Sequence, residues 1–338
     1  MGNKIEELNE RYNNAKDAAG QQGLIPEYLD LFLEIGKTEF VKEFWEMLED
    51  DESKLGFIKN VYNYIKSASM EMKMQALEVL SALFFASEGE VQFSINAIMY
   101  AALFDKHSEE LNLFALDFYI RLWESPKFNE ELRNDIFPRM LDVIDNNNGY
   151  VGEQAIYKII KLKDRFTERE VERFRDAVVD AVLQNKNGEI KRAGFEVLKE
   201  LINVETPQQV CKKILEASKS VLKFKEKDTL LMTIRLLLIM REHFSAEDEK
   251  LIAQIFEKFK KDLVKSQYIT YFDLFYEFLI GIAFIDPSEF LRPFLKMLNE
   301  KFKIRDELDE VTKEKIENIV NWIWDNYLLT EKERAIFY

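Results

Sequence analysis

The sequence is poor in almost everything that builds covalent, metal or loop-borne chemistry. It has one cysteine, Cys211, and two histidines, His107 and His243, among 338 residues. A lone thiol excludes an internal disulfide and fits a reducing compartment. A zinc site would need several Cys or His at short spacing. Gly and Pro number only 11 and 6, which leaves few strand turns or long loops. No glycine-rich phosphate loop and no nucleophile elbow occurs. The most apolar stretch, Leu274 to Ile285, contains Glu277 and follows Asp273, so no membrane span is expected. The first residues lack the apolar core of a secretory leader. Glu6 stands where myristoylation after Met1-Gly2 would need Ser or Thr. A cytoplasmic protein without a cofactor is the expectation.

Positive charge is also scarce. The net charge is −15; residues 1–60 carry 7 basic and 14 acidic side chains, and residues 61–130 carry 5 and 10. Non-specific nucleic-acid binding needs many Lys or Arg to displace counterions, so the N-terminal third is unsuited to it. Its acidity suits a solvated surface or a face for a basic partner.

What is abundant is helical periodicity. Small residues recur at Ala76, Ala115, Ala155, Gly194 and Thr233, spaced 39, 40, 39 and 39 residues apart. At +3, +4 and +7 from each lie Val79, Leu80 and Leu83; Phe118, Tyr119 and Leu122; Lys158, Ile159 and Leu162; Val197, Leu198 and Leu201; and Leu236, Leu237 and Met240. A small residue leading an apolar stripe marks a helix that packs closely on its neighbours. A period near 40 marks a stacked repeat in which no unit buries its apolar face alone.

Helix starts keep the same period. Ser87-Glu88-Gly89-Glu90, Thr167-Glu168-Arg169-Glu170 and Thr206-Pro207-Gln208-Gln209 read as capping boxes. Asn129, Ser245 (with Asp248) and Asp286 read as N-caps. The six are 42, 38, 39, 39 and 41 residues apart. First helices are expected over 88–104, 130–146, 168–186, 207–223, 246–264 and 287–302, and second helices over 108–124, 150–164, 188–203, 228–243 and 266–284. Helices out of step with this period are expected over 3–18, 26–36, 39–49, 52–67 and 70–86, with Gly20-Gln21-Gln22-Gly23 as a flexible joint. The tail should end in helices near 308–328 and 331–338.

Residues 136–159, with Pro138, Asn146, Val151 and Ala155, resemble a HEAT repeat. Met72-Lys73 with Ala76, and Ile190-Lys191 with Gly194, resemble that family's Val-Arg-x-x-Ala segment, and Pro293 matches Pro138 in a later helix. The resemblance to the HEAT/armadillo class covers 70–302, between helical caps at 1–69 and 303–338. It implies an all-α, right-handed α-α superhelix of about seven to eight helix pairs, and it carries no catalytic residue.

Local signatures of catalysis are missing. A bundle di-iron site needs Glu-x-x-His, but Phe104 and Met240 precede the two histidines by three residues. Cys211 and His243 could pair in principle, though Cys211 falls on an amphipathic helix as a small buried filler. Glu49-Asp50-Asp51-Glu52 resembles the start of a magnesium-binding Asp-Asp-x-x-Asp, but Lys54 fills the last position. It reads as a helix start favoured by the dipole.

The expected function is therefore binding. Positions −1, +2 and +6 from each small residue share one face of the second helices. They read Gln75, Glu78 and Ala82; Phe114, Asp117 and Arg121; Gln154, Tyr157 and Lys161; Ala193, Glu196 and Glu200; Met232, Arg235 and Ile239. The charged and aromatic members Glu78, Phe114, Asp117, Arg121, Tyr157, Lys161, Glu196, Glu200 and Arg235 are the candidate site for a protein or peptide partner. The alternative is a lysine edge that would grip nucleic acid or another anion: Lys219 and Lys223, Lys258 and Lys261, Lys296 and Lys301. Helix 266–284, ringed by Tyr268, Phe272, Phe275 and Phe278, is expected between layers. Trp322 and Trp324 face opposite ways on one helix, so one of them could stay exposed.

Overall fold

The computed structural model describes residues 2–15, 17–46, 48, 50–125, 130–146, 149–184, 187–203, 205–221 and 227–240, with 243–245, 248, 251, 252, 254, 310, 311, 313, 314, 317, 318 and 321. Among the described residues every regular element is a helix, and none is a strand. The chain divides into two compact units, 1–147 and 148–338.

In the first unit, α1 (Gly2–Asn13), α2 (Ala18–Gly23), α3 (Ile25–Ile35) and α4 (Lys37–Phe40) lead into a π-helical turn, Val41–Trp45. Then come α5 (Asp51–Ser67), α6 (Met70–Phe85), α7 (Gly89–Leu103), α8 (Glu109–Glu124) and α9 (Glu130–Asn146). The supposed joint at Gly20–Gly23 is instead α2. Asp17 caps it, accepting from Gly20 N at 2.8 Å, and Gln21 Oε1 accepts from Asn60 Nδ2 at 3.1 Å. A local cap and a tertiary bond together hold a glycine-rich segment helical despite its poor propensity. The helix expected over 39–49 widens into the π turn, where Phe40, Phe44 and Trp45 are all buried. These rings join Tyr12, Tyr28 and Phe57 in one aromatic cluster; Tyr28–Phe44 and Phe44–Phe57 centroids lie 4.7 and 4.8 Å apart. The N-terminal segment therefore has its own core.

The second unit contains α10 (Tyr150–Ile160), a 3-10 turn at Lys163–Arg165, α11 (Glu168–Gln184), α12 (Gly188–Leu201), α13 (Gln208–Val221) and α14 (Lys227–Ile239). Short connections make successive helices largely antiparallel. Helix α12 packs between α10 and α14, and α11 lies against both α12 and α13. Second helices thus touch second helices, and first helices touch first helices. Gly149, at φ 77, adopts a conformation that L side chains rarely adopt as the chain turns into α10. The expected helices 246–264, 266–284, 287–302 and 331–338, and the caps Asn129 and Asp286, lie outside the described residues.

All five small residues are buried: Ala76, Ala115, Ala155 and Thr233 are 0% exposed, and Gly194 lies in the buried face of α12. Of their +3, +4 and +7 neighbours only Lys158 escapes the core. Gly194 shows why the position must be small. A Cβ there would run into Val182 Cγ2 of α11 and stand 3.4 Å from Val178 Cγ1.

The caps divide. Thr167 and Glu170 form the reciprocal box, Glu170 N donating to Oγ1 at 3.3 Å and Thr167 N to Oε2 at 2.7 Å. Asp248 Oδ2 likewise accepts from Ser245 N at 2.9 Å. Ser87 does not cap α7; Glu88 occupies that position. The Ser87 hydroxyl donates back to Leu83 O at 2.6 Å and accepts from Trp45 Nε1 at 3.1 Å. A buried indole donor needs a partner, and that demand takes the hydroxyl. Thr206 Oγ1 likewise turns back to accept from Asn203 N at 2.9 Å.

Two substitutions test these contacts. Gly194→Ala gains helix propensity but overpacks against a β-branched, buried Val182, for a net loss of about 1–2 kcal/mol in urea unfolding. An unchanged midpoint would mean that the seam has slack. Arg192→Leu strands Glu153, whose side chain is 8% exposed and takes Arg192 Nη2 at 2.5 Å. It should cost about 1–3 kcal/mol, and adding Glu153→Gln should recover most of that.

Candidate functional site

The repeat period also governs polar contacts. In the second unit Arg192 donates to Glu153, and Tyr157 OH donates to Glu196 Oε2 at 2.7 Å. Both pairs are separated by 39 residues and join equivalent positions of α10 and α12. Burial, then the bond to Glu196, pushes the Tyr157 hydroxyl up to about 12. In the first unit Asn96 on α7 donates to Asp135 on α9 at 2.9 Å, again 39 residues on, and accepts from Tyr119 OH at 2.9 Å. Arg139 pairs with Asp135 at 2.8 Å and lies 4.5 Å above the Tyr100 ring.

The nine candidate partner-binding residues fall into two groups, one in each unit. In the first, Glu78 is exposed on α6, while Phe114, Asp117 and Arg121 share α8. The Arg121 guanidinium lies 5.9 Å from the Phe114 ring, and its Nε donates to Asp117 O at 3.4 Å. Met70 Sδ lies 3.5 Å from Ser108 Oγ, and Phe84 meets Phe118 at 5.1 Å, so α6 and α8 lie side by side. In the second group, Tyr157 and Glu196 are bonded, Lys161 and Glu200 are exposed, and Arg235 is half-buried on α14. Ala82 and Ala193, expected on the same open face, are buried at 2% and 0%; side chains this short lie beneath their neighbours where helices meet.

The −1, +2 and +6 template missed position −5, which lies on the same face at 100° per residue. That position holds Glu71 on α6, Glu110 on α8, Tyr150 on α10 and Glu189 on α12, all exposed. Tyr150 is 48% exposed, and Ile239, at +6 on α14, is 44% exposed. Extending the series one turn upstream would have found all four. The lysine edge cannot be placed: Lys219 belongs to α13, but its side chain and Lys223, Lys258, Lys261, Lys296 and Lys301 lie outside the described residues. So do helix 266–284, Trp322 and Trp324.

Other features have structural explanations. A groove of about 300 Å³ between α1 and α3 is lined by Lys4, Glu7, Arg11, Glu27, Asp30 and Glu34. Its charges pair across it, Lys4 with Glu34 at 2.8 Å and Arg11 with Glu27 at 2.6 Å. The Arg11 bond lowers the Glu27 carboxyl below its usual range. Such exposed pairs clasp two helices weakly. Asp50 caps α5, accepting from Ser53 N at 2.7 Å, and that backbone bond lowers its carboxyl. Among the described residues no three Asp, Glu, His or Cys converge as a metal site would require, and no helix is long and apolar enough to cross a membrane. His243 Nε2 lies 3.1 Å from Asn203 O, and His107 is exposed.

No protein-family model matches this chain, and no curated protein matches it. Solved structures similar to it include crystal structures of three engineered proteins. One aligns at TM-score 0.46 and 13% identity, covering 98% of this chain and 80% of the other. Two align at TM-score 0.26 and 12% identity, each covering 82% of this chain and 96% or 98% of theirs. Similarity at that level assigns neither a repeat family nor a function.

Cys211 is 2% exposed, and burial pushes its thiol up to about 11. A thiolate reagent at neutral pH should therefore label the native protein at least about a hundredfold more slowly than the urea-unfolded chain. Comparable rates would mean an accessible, activated thiol.

Proposed function

We propose that this chain is a non-enzymatic scaffold whose stacked, HEAT-like second helices bind a protein or peptide partner on their open face. The observation that carries this reading is the division of labour on those helices. The +3, +4 and +7 positions are sealed in the core at all but Lys158, while −5, −1, +2 and +6, apart from buried Ala82 and Ala193, leave charged and aromatic side chains exposed or half-exposed. Helices braced on both sides offer a surface whose ordering cost is already met, which favours binding of an extended partner. Mixed aromatic and charged residues such as Phe114, Arg121, Tyr157 and Glu196 suit protein recognition better than a phosphate backbone. The absence of a local catalytic signature in the sequence is consistent with binding as the activity, and a reducing, cytoplasmic setting fits the single buried thiol.

Affinity capture from the native host, followed by hydrogen exchange on the purified complex, tests this directly. Protection should fall on α6 and α8 of the first unit, where F114A should weaken the complex by about tenfold, or on α10 and α12 of the second, where Y157A should do so. Protection confined to first helices, or a complex that loses affinity steeply with salt and contains nucleic acid, would refute it.

A further inference from the structure

Apart from the short α2 and α4, α7 is the one described helix with no charged residue beyond its first turn. Its inward side is buried in the core, and its outward side is no more polar. Phe93, Ala97, Tyr100 and Ala101 are exposed there, and half-buried Phe104 ends the row. At 100° per residue these positions share about 100° of arc. Phe93 is 67% exposed; apolar area stabilises the fold only where it is buried, so this ring contributes little to it. Tyr100 is held in place by Phe104, at 5.0 Å between ring centroids, and by the Arg139 guanidinium above it. Single apolar side chains at a surface are ordinary. A charge-free row along one helix, in a chain of net charge −15, marks a contact face.

We propose that two copies of the chain associate through this row, α7 lying antiparallel on α7 of the second copy about a two-fold axis at Ala97. Charge selects the occupant. A two-fold contact sets the same patch on both copies, so a charged face of an acidic chain meets its own like charges. The α7 row escapes that repulsion. Size selects the register, because large and small side chains alternate as Phe93, Ala97, Tyr100 and Ala101. Antiparallel pairing about Ala97 sets Phe93 against Ala101 of the second copy and Tyr100 against its Ser94. Each large ring then meets a small side chain, and the helices approach closely at the axis. Glu90, whose first-turn position complements the helix dipole, lies about 21 Å along the axis from its counterpart. That exceeds the Debye length of about 8 Å, whereas parallel pairing would bring the two carboxylates together. One helix pair covers less than the standard interface of about 800 Å² per partner, so association is weak, with a Kd of about 10–100 µM. It uses a first helix and is independent of binding on the second helices.

Sedimentation velocity of the full chain from about 1 to about 300 µM reads the association. The chain should pass from monomer to dimer. Raising salt from about 0.05 to about 0.5 M should tighten the dimer at least about twofold by screening the repulsion between copies. F93S should weaken it at least about tenfold. L33S, which removes an exposed leucine of α3, should leave it within about twofold. A97E sets like charges at the axis and should abolish the dimer. Circular dichroism confirms that each variant keeps its helicity. Cysteine variants read the register. A97C should link to its own copy under mild oxidation. In A101C the two positions lie about 12 Å apart along the axis, past the roughly 7 Å between Cα atoms that a disulfide spans, and no link should form. Native Cys211 is buried and stays out of the reaction.

A monomer at every concentration would overturn the inference, and loss of a host partner in F93S would then give the row to a different protein. Equal weakening by L33S, association that loosens with salt, or A101C linking as fast as A97C would each overturn it too. The scaffold reading stands or falls separately, on F114A and Y157A.

Discussion

The structure depends on how closely two helices approach where a side chain is nearly absent. At Gly194 the α12 backbone comes so near α11 that even a methyl group would strike Val182. At 76, 115 and 155 the equivalent positions accommodate a methyl group, and all three alanines are fully buried. Close approach lets the stripe that follows each small residue interlock with the neighbouring helix, and dense packing collects the dispersion energy of every contact. A longer side chain at the seam would push the helices apart, and the whole stripe would lose contact together. The repeat is thus a repeat of separation first and of hydrophobicity second.

Close packing alone leaves helices free to slide, since apolar contact is non-directional. The polar pairs remove that freedom. Glu153–Arg192 and Tyr157–Glu196 bond residues at matching positions of consecutive second helices, and Asn96–Asp135 does so between first helices of the other unit. Each partly buried group would be left unsatisfied by a shift of one turn, which costs more than the bond itself gains. Register is fixed by penalty more than by attraction.

The helical elements were legible because small seam residues and residues of helix-start type repeat at one interval in the sequence, even though Ser87 and Thr206 bond elsewhere. The spans Glu109–Glu124 and Glu130–Asn146 fall almost where the periodicity puts them. The failures occur where a tertiary partner redirects a side chain. Nothing local tells that Ser87 will take the Trp45 indole, 42 residues away, in place of the α7 cap. At Gly20–Gly23 the only local signal is the Asp17 cap, and the bond from Asn60 to Gln21 that adds to it comes from a distant helix. The π turn answers likewise to a cluster assembled from separate helices. On the candidate face, periodicity found Glu78, Phe114 and Tyr157 but stopped one turn short of Glu71, Glu110 and Tyr150. It placed Ala82 and Ala193 in the open, although short side chains beside a close neighbour are covered by it.

A surface built from equivalent helices inherits the period of its core, and this bears on how such a chain acquires specificity. Core positions are constrained to be small or apolar, so the described second helices turn their −5 and +2 positions away from the core, whatever residue stands there. Chemistry can then vary without disturbing the fold beneath. On α6 and α8 those positions are acidic, whereas on α10 they are Tyr150 and Tyr157. Individual exposed charges contribute little to stability, so their pattern is free to answer to partners. On the scaffold reading proposed above, recognition is therefore a property of rows. One substitution changes one rung by a modest factor, while the spacing of rungs, fixed by the buried seam, decides which partner helix or strand can engage several at once.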